Sequence, residues 1–309
     1  MGLAPKPRYS MYWSTELRCD AIADAMSRNR FREVLRYLHF NDNSEAVLDR
    51  ESPRYDRLFK IRPLIESIRQ SCLRLEQEEY QSIDEEIIPY KGRNKLKQYI
   101  PKKPKKWGFK VNARTGVSGL LYDFCFYEGK VPRAKKPNGY LNFDVVMKLC
   151  ETMHLDLQLR LLKKGIHTIG TIRRNRLKNA PLKTEKELKK AGRGAFHVCT
   201  TAENNLCIVR WHDSAVVDLS STYVCTQPRW NKKDKTLVDV SCPAIVKEYN
   251  KYMGGVDLAG MLRALYRIDH RGRKWYRRIF FWKLHVAVVN GWLQYKRDLK
   301  TSEVAAKKI

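Results

Sequence analysis

Long apolar runs are missing from this chain. None approaches the roughly 20 residues that a membrane-spanning helix needs. The opening residues, Met1-Gly2-Leu3-Ala4-Pro5-Lys6, lack the apolar core of a secretory leader. No membrane partner is therefore expected. Paired cysteines are missing too. The eight cysteines, at positions 19, 72, 125, 150, 199, 207, 225 and 242, form no C-x-x-C pair. They read as reduced core thiols of an intracellular protein, and no zinc site is expected from their spacing. Proline is absent after Pro243, which leaves the last part of the chain free to be helical. No internal repeat is visible.

Acidic residues are scarce relative to basic ones: 33 against 61, a net charge of +28 on 309 residues. Such an excess implies a polyanionic partner, most simply DNA or RNA, bound with counterion release and hence with strong salt dependence. A merely solvated basic surface is the plainer alternative, but the cations cluster beside aromatics. The 43% hydrophobic content is enough for a sizeable core.

Periodicity divides the chain. Residues 1–80 read as helical: Phe31, Val34, Leu35 and Leu38 recur at helical spacing behind Ser27 as a cap. Ile61, Leu64, Ile65, Ile68, Cys72 and Leu75 share a face behind Pro63. Strands are expected at 83–88, 107–115 and 119–128, with Gly116 and Gly119 at a turn. Helices follow at 144–153 and 157–164, then a strand at 166–173. Residues 180–194 look solvated, 195–227 alternate like antiparallel strands, and 228–240 are a polar linker. From Pro243 on, helices are expected. Trp275, Ile279, Trp282, Val286, Val289 and Leu293 line one face. This order predicts a mixed α/β core with helical flanks.

The segment Ser82 to Lys110 is the most informative. Acidic residues within an apolar run, Ile83-Asp84-Glu85-Glu86-Ile87-Ile88, precede a dense basic stretch with Lys91, Arg93, Lys102, Lys103, Lys105 and Lys106. A carboxylate in a strand-like apolar run needs a reason such as a metal, although an Asp at a strand end can also serve a turn. Glu85 and Glu86 read as solvent-facing or supporting. Asp257, after Gly254-Gly255, reads as a helix N-cap. Cations beside Trp107 suit phosphate contact with stacking support, and Arg173, Arg174, Arg176, Arg271, Arg273 and Lys274 form similar basic groups.

Several ordered stretches resemble the piggyBac-type transposases. These are Met26-Ser27-Arg28-Asn29-Arg30-Phe31, His39-Phe40-Asn41-Asp42-Asn43 and Tyr55-Asp56-Arg57-Leu58-Phe59-Lys60-Ile61-Arg62-Pro63. Asp84-Glu85 with Pro89-Tyr90-Lys91-Gly92-Arg93 follows. Then come Lys103-Pro104-Lys105-Lys106-Trp107-Gly108-Phe109-Lys110, Gly170-Thr171-Ile172-Arg173 and Met253-Gly254-Gly255-Val256-Asp257.

The resemblance implies a ribonuclease-H-like catalytic core in which three aspartates hold Mg²⁺ or Mn²⁺ and cut and join DNA ends. Asp84 and Asp257 are then catalytic metal ligands. The core would be 84–179 with 244–266, a β-rich insertion 180–243, and 1–83 and 267–309 helical DNA-binding and dimerisation regions. A homodimer on double-stranded DNA in the nucleus is implied as well. The family's second aspartate sits in an Asp-Asn-aromatic strand motif. The only Asp-Asn pair here, Asp42-Asn43, lies in the N-terminal helical region. Cys150-Glu151-Thr152-Met153 matches the family upstream of that strand, and Leu157 to Gly165 matches it downstream. A deletion near Met153 and His154 is therefore expected, and with it impaired catalysis. Asp144 and Asp156 are the nearest other carboxylates. A basic DNA-binding protein without chemistry is the alternative expectation.

Overall fold

A computed structural model describes residues 4–101, 103–129, 155–174, 177, 180–201, 206–223, 242–268 and 274–306. The expected helix 144–153, the linker 228–240 and the expected deletion point lie outside the described residues. The chain divides into two compact units, 1–139 with 255–309, and 140–254. The 155–171 segment belongs to the second unit.

In the first unit, α1 (Asp20–Ala23), α2 (Arg28–Tyr37) and α3 (Arg62–Leu73) precede a four-stranded antiparallel sheet. Ser27 caps α2 by accepting from the Arg30 N–H, and Pro63 sits in the first turn of α3. Leu35 is buried on α2, whereas Val34 is 41% exposed, so the inward stripe of α2 is narrower than its spacing predicts. The strands are β1 (Gln81–Pro89), β2 (Lys97–Tyr99), β3 (Trp107–Gly116) and β4 (Leu121–Phe126). β3 is central: β1 pairs along its whole length, from Gln81↔Gly116 to Pro89↔Gly108. The other edge of β3 is shared by β2, at Trp107 to Phe109, and β4, at Val111 to Thr115. β2 lies inside the lysine-rich stretch and is not among the expected strands. The β3–β4 turn holds Gly119 at φ 86°, where its N–H donates to the Gly116 carbonyl.

The second unit contributes α4 (Leu155–Leu162), α5 (Glu185–Ala191) and α6 (Ala244–Tyr252). Residues 255–306 then return to the first sheet as α7 (Gly255–Leu265) and α8 (Trp275–Ala306). Ile279, Trp282 and Val286 of α8 pack with Ile61, Ile65 and Cys72, and with Phe109, Val111, Phe124 and Phe126 of the sheet. The expected helical stripe is thus the core-facing one. Asn290 clamps the Leu121 peptide, accepting its N–H at 3.1 Å and donating to its carbonyl at 2.8 Å. Trp292 lies off this stripe and is 49% exposed, with Lys296 over its ring.

Buried polar groups also lie in this unit. Arg69 of α3 donates to Asp123 of β4 at 2.6 Å with both side chains almost fully buried. Lys283 is fully buried, its ammonium position 3.8 Å from the Phe124 ring centroid, and burial pushes its pKa far down. His285 accepts the Ile268 N–H at 2.9 Å. Burial, then the fields of Arg278, Arg267 and Arg263, hold its pKa down at about 4.

The second unit contains the antiparallel sheet β5 (Ile169–Thr171), β8 (Val216–Ser221), β7 (Leu206–His212) and β6 (Phe196–Thr201), in that spatial order. The alternation read between 195 and 227 is this meander. Ile245 and Val246 of α6 pack on Cys207, Val209 and Leu219. Residues 185–191 form a helix that is solvated as expected apart from one inward residue. Thr184 and Glu187 form a reciprocal capping box, and Leu188 is 1% exposed. Among the described residues no helix is long and apolar enough to cross a membrane.

Asp123→Ala removes the buried carboxylate partner of the Arg69 guanidinium and leaves the more exposed Glu66 at 3.9 Å, and is expected to cost about 3 kcal/mol in urea unfolding. His285 supplies a pH test. Its folded pKa lies below the ordinary 6.5, so its contribution is present above pH 6.5 and lost as pH falls toward 4. That loss is on the order of 3 kcal/mol. His285→Gln, which keeps an acceptor, is expected to flatten this part of the stability profile.

Candidate functional site

β1 alternates its faces. Ser82, Asp84, Glu86 and Ile88 share the face that in β3 carries Thr115, Ala113, Val111 and Phe109. α7 meets this face. Its first residue, Gly255, is buried so close to the sheet end that a Cβ there would stand 2.3 Å from the Gly116 carbonyl oxygen and 2.5 Å from the Ser82 Oγ. Only glycine allows that approach, and the approach carries Asp257, two residues on, toward Asp84. Asp257 lies in the first turn of α7, where the helix dipole favours a carboxylate. It is not the N-cap that the sequence suggested.

Both carboxylates meet one cation. The Lys103 Nζ donates to Asp84 Oδ2 at 2.7 Å and stands 3.9 Å from Asp257 Oδ1. Lys103 comes from the loop closing the β2–β3 hairpin, where its N–H donates to the Ile100 carbonyl. Burial pulls the Lys103 pKa down. The hydrogen bond to Asp84, with the fields of Asp84, Asp257 and Glu85, outweighs it, and the pKa is raised. The ammonium is half-buried, while Asp84 and Asp257 are 44% and 73% exposed, so this carboxylate pair opens to solvent.

Further along the same face the chemistry closes. Glu86 accepts from Arg263 at 2.6 Å and from Trp282 Nε1 at 3.1 Å, with Arg263 nearly fully buried. Glu86 is therefore an internal counter-ion that ties β1 to α7 and α8, not a solvent-facing residue. Glu85, on the opposite face, pairs with Lys110 at 2.5 Å. Among the described residues no group of three or more His, Cys, Asp or Glu converges as a metal cluster. The side chain of Asp156 and all of Asp144 lie outside what is described.

The basic residues are distributed between the units. In the first, Lys91, Arg93, Lys105 and Lys106 lie around the hairpin that carries Lys103, all four exposed, and Lys274 is exposed with its Nζ 3.3 Å from the Arg36 carbonyl. In the second, Arg173 is exposed, while Arg174 pairs with Glu185 and stands 3.6 Å from Asp218. Lys102, Arg176, Arg271 and Arg273 lie outside the described residues. Sequence reasoning did not single out Lys103 from its neighbours, nor Arg263 as the partner of Glu86. Nothing in a run of lysines marks the one that folds back.

A family profile described as "Transposase IS4" matches residues 1–292. Human PiggyBac transposable element-derived protein 3 is 30% identical over 320 residues, covering 96% of this chain and 53% of that protein. Human PiggyBac transposable element-derived protein 2 is 33% identical over 331 residues, covering 98% and 54%. The chain belongs to the piggyBac-type transposase family. It spans about half the length of the curated relatives it matches. The aligned 320 and 331 residues exceed the 309 of this chain, so the relatives carry residues that it lacks within the matched span. A solved structure, the piggyBac transposase synaptic complex with hairpin DNA, matches in fold with a TM-score of 0.74 at 20% identity. The match covers 94% of this chain and 62% of that one.

The close approach at Gly255 gives a direct test. Gly255→Ala is expected to cost about 1–3 kcal/mol in denaturant unfolding, because the backbone beneath it cannot give way. Gly254→Ala, which meets nothing within 4 Å, is expected to change stability far less.

Proposed function

We propose that this chain is a transposase-derived DNA-binding protein. Its ancestral activity would be metal-dependent cutting and joining of DNA ends on a ribonuclease-H-like core, and its own catalysis is impaired. The observation that carries this reading is the meeting of Asp84 and Asp257 at one ammonium, from segments far apart in the sequence, on a chain of net charge +28. Oxygen donors that already share one cation suit a hard, hydrated divalent ion such as Mg²⁺ or Mn²⁺. Asp84 and Asp257 would hold that ion, with Lys103 yielding its place. When bound, it would polarise a phosphodiester oxygen and lower the pKa of a water. The residues of this chain do the rest: the two carboxylates fix the cation, and Lys91, Arg93, Lys105 and Lys106 hold phosphates beside it. Two carboxylates give an incomplete set for a two-metal phosphoryl transfer, and the sequence carries no Asp-Asn-aromatic motif to complete it. This favours the impaired state over full activity.

Double-stranded DNA as partner is supported by the charge and by the hairpin DNA of the structurally similar synaptic complex. A homodimer and a nuclear location belong to the same reading. The outward face of α8, where Leu284, Val288, Trp292 and Tyr295 stand exposed, supports the former.

Two measurements test the proposal. Duplex affinity, followed by fluorescence anisotropy, is expected to fall about 10³-fold or more between roughly 50 and 200 mM salt if about six or more phosphates are neutralised. Affinity unchanged over that range would end the electrostatic account. Strand cleavage of transposon-end DNA with Mg²⁺ or Mn²⁺ is expected to be absent or very weak. Efficient cleavage, abolished by Asp84→Ala, would overturn the impairment and restore a working enzyme.

A further inference from the structure

The β2–β3 hairpin carries exposed aromatic rings beside its cations. Tyr99 and Trp107 are registered partners across the two strands, with ring centroids 4.7 Å apart. They are 49% and 52% exposed, although a tryptophan and a tyrosine on a sheet ordinarily bury most of their area. The Lys97 Nζ stands 5.0 Å from the centroid of the Trp107 ring. Exposed Lys105 and Lys106 adjoin Trp107 in sequence. By contrast Tyr90, Phe109 and Trp282 in the same unit are all less than a tenth exposed. The hairpin thus displays two large π surfaces and a cation toward solvent.

We propose that Tyr99 and Trp107 form a stacking platform for an unpaired nucleobase in the strand that reaches Asp84. This rests on the DNA-binding reading above and adds a base-contacting site to it. Exposed aromatics flanked by cations are how proteins stack single-stranded bases without reading sequence, and here the two rings lie tilted at 44° to each other. A paired base inside a duplex cannot present its face to such a surface, so the platform selects an overhang, a flap or an extruded base. Its position suits the candidate site. Lys103, which touches Asp84, is four residues from Tyr99 and four from Trp107, so neither Cα lies more than about 14 Å from that of Lys103. That is about four steps of a nucleic-acid strand at roughly 3.4 Å each. A base held on the platform would fix the register of the strand relative to the carboxylates.

The test uses the full chain and two fluorescent DNAs of equal length. One is a blunt duplex with 2-aminopurine inside it, and the other has 2-aminopurine in a four-nucleotide single-stranded overhang. The expected result is roughly tenfold tighter binding of the overhang DNA, with its 2-aminopurine emission quenched on binding. Trp107→Ala and Tyr99→Ala are each expected to remove most of that gain and the quenching, while Trp107→Phe retains them. All three are expected to change blunt-duplex affinity far less than overhang affinity. Equal binding of the two DNAs by the unmodified protein overturns the platform while leaving the DNA-binding reading intact. So does a Trp107→Ala protein with a lowered melting temperature but undiminished overhang preference, which would make the ring pair a hairpin support. Failure to bind either DNA at low salt removes the DNA-binding reading itself.

Discussion

The meeting of Asp84 and Asp257 at the Lys103 ammonium is the interaction on which the functional reading depends. Two carboxylates brought together on one face would repel unless a cation stood between them. Here that cation comes from the chain. The hydrogen bond at 2.7 Å and the second contact at 3.9 Å offset part of the pair's negative charge in a site that remains open to solvent. Three separate segments are needed for this: a strand, the loop of a hairpin and the first turn of a returning helix. Each is held by something more rigid than itself.

The rigidity can be traced. β1 is fixed by full-length pairing to β3. α7 is fixed at its start by the absent side chain of Gly255 and at its end by Arg263, which donates to Glu86 on the same strand as Asp84. α8 then covers the sheet through Trp282, which also donates to Glu86, and through the Asn290 clamp on Leu121. Glu86, Arg263 and Trp282 thus form a closed internal network one step along the face from the open pair. One face of one strand carries both a structural carboxylate and a chemically available one, and the difference is set by what the return helices place over each.

Much of this was legible in the sequence. The strands β1, β3 and β4 and the inner stripe of α8 follow from their periodicities, and Ser27 and Pro63 mark helix starts where the structure has them. The candidate carboxylates were legible through the ordered motifs. Other parts were hidden for physical reasons. β2 lies in a lysine-rich stretch with too few apolar residues to show alternation. α5 has a Thr184–Glu187 capping box, but its charged composition conceals the one inward residue, Leu188. The roles of Lys103 and Glu86 come from tertiary contacts with no local signature. Asp257 sits inside a helical turn rather than capping it, since tight docking at Gly255 sets where the helix begins.

The central claim is that Asp84 and Asp257 act as one cation-holding unit. A double-mutant cycle on Mn²⁺ affinity, with Asp84→Asn, Asp257→Asn and the two combined, tests it most directly by titration calorimetry. The account predicts that each single change weakens binding nearly as much as both together, so the effects are strongly non-additive. Independent, additive losses, or Mn²⁺ binding indifferent to both residues, would contradict it.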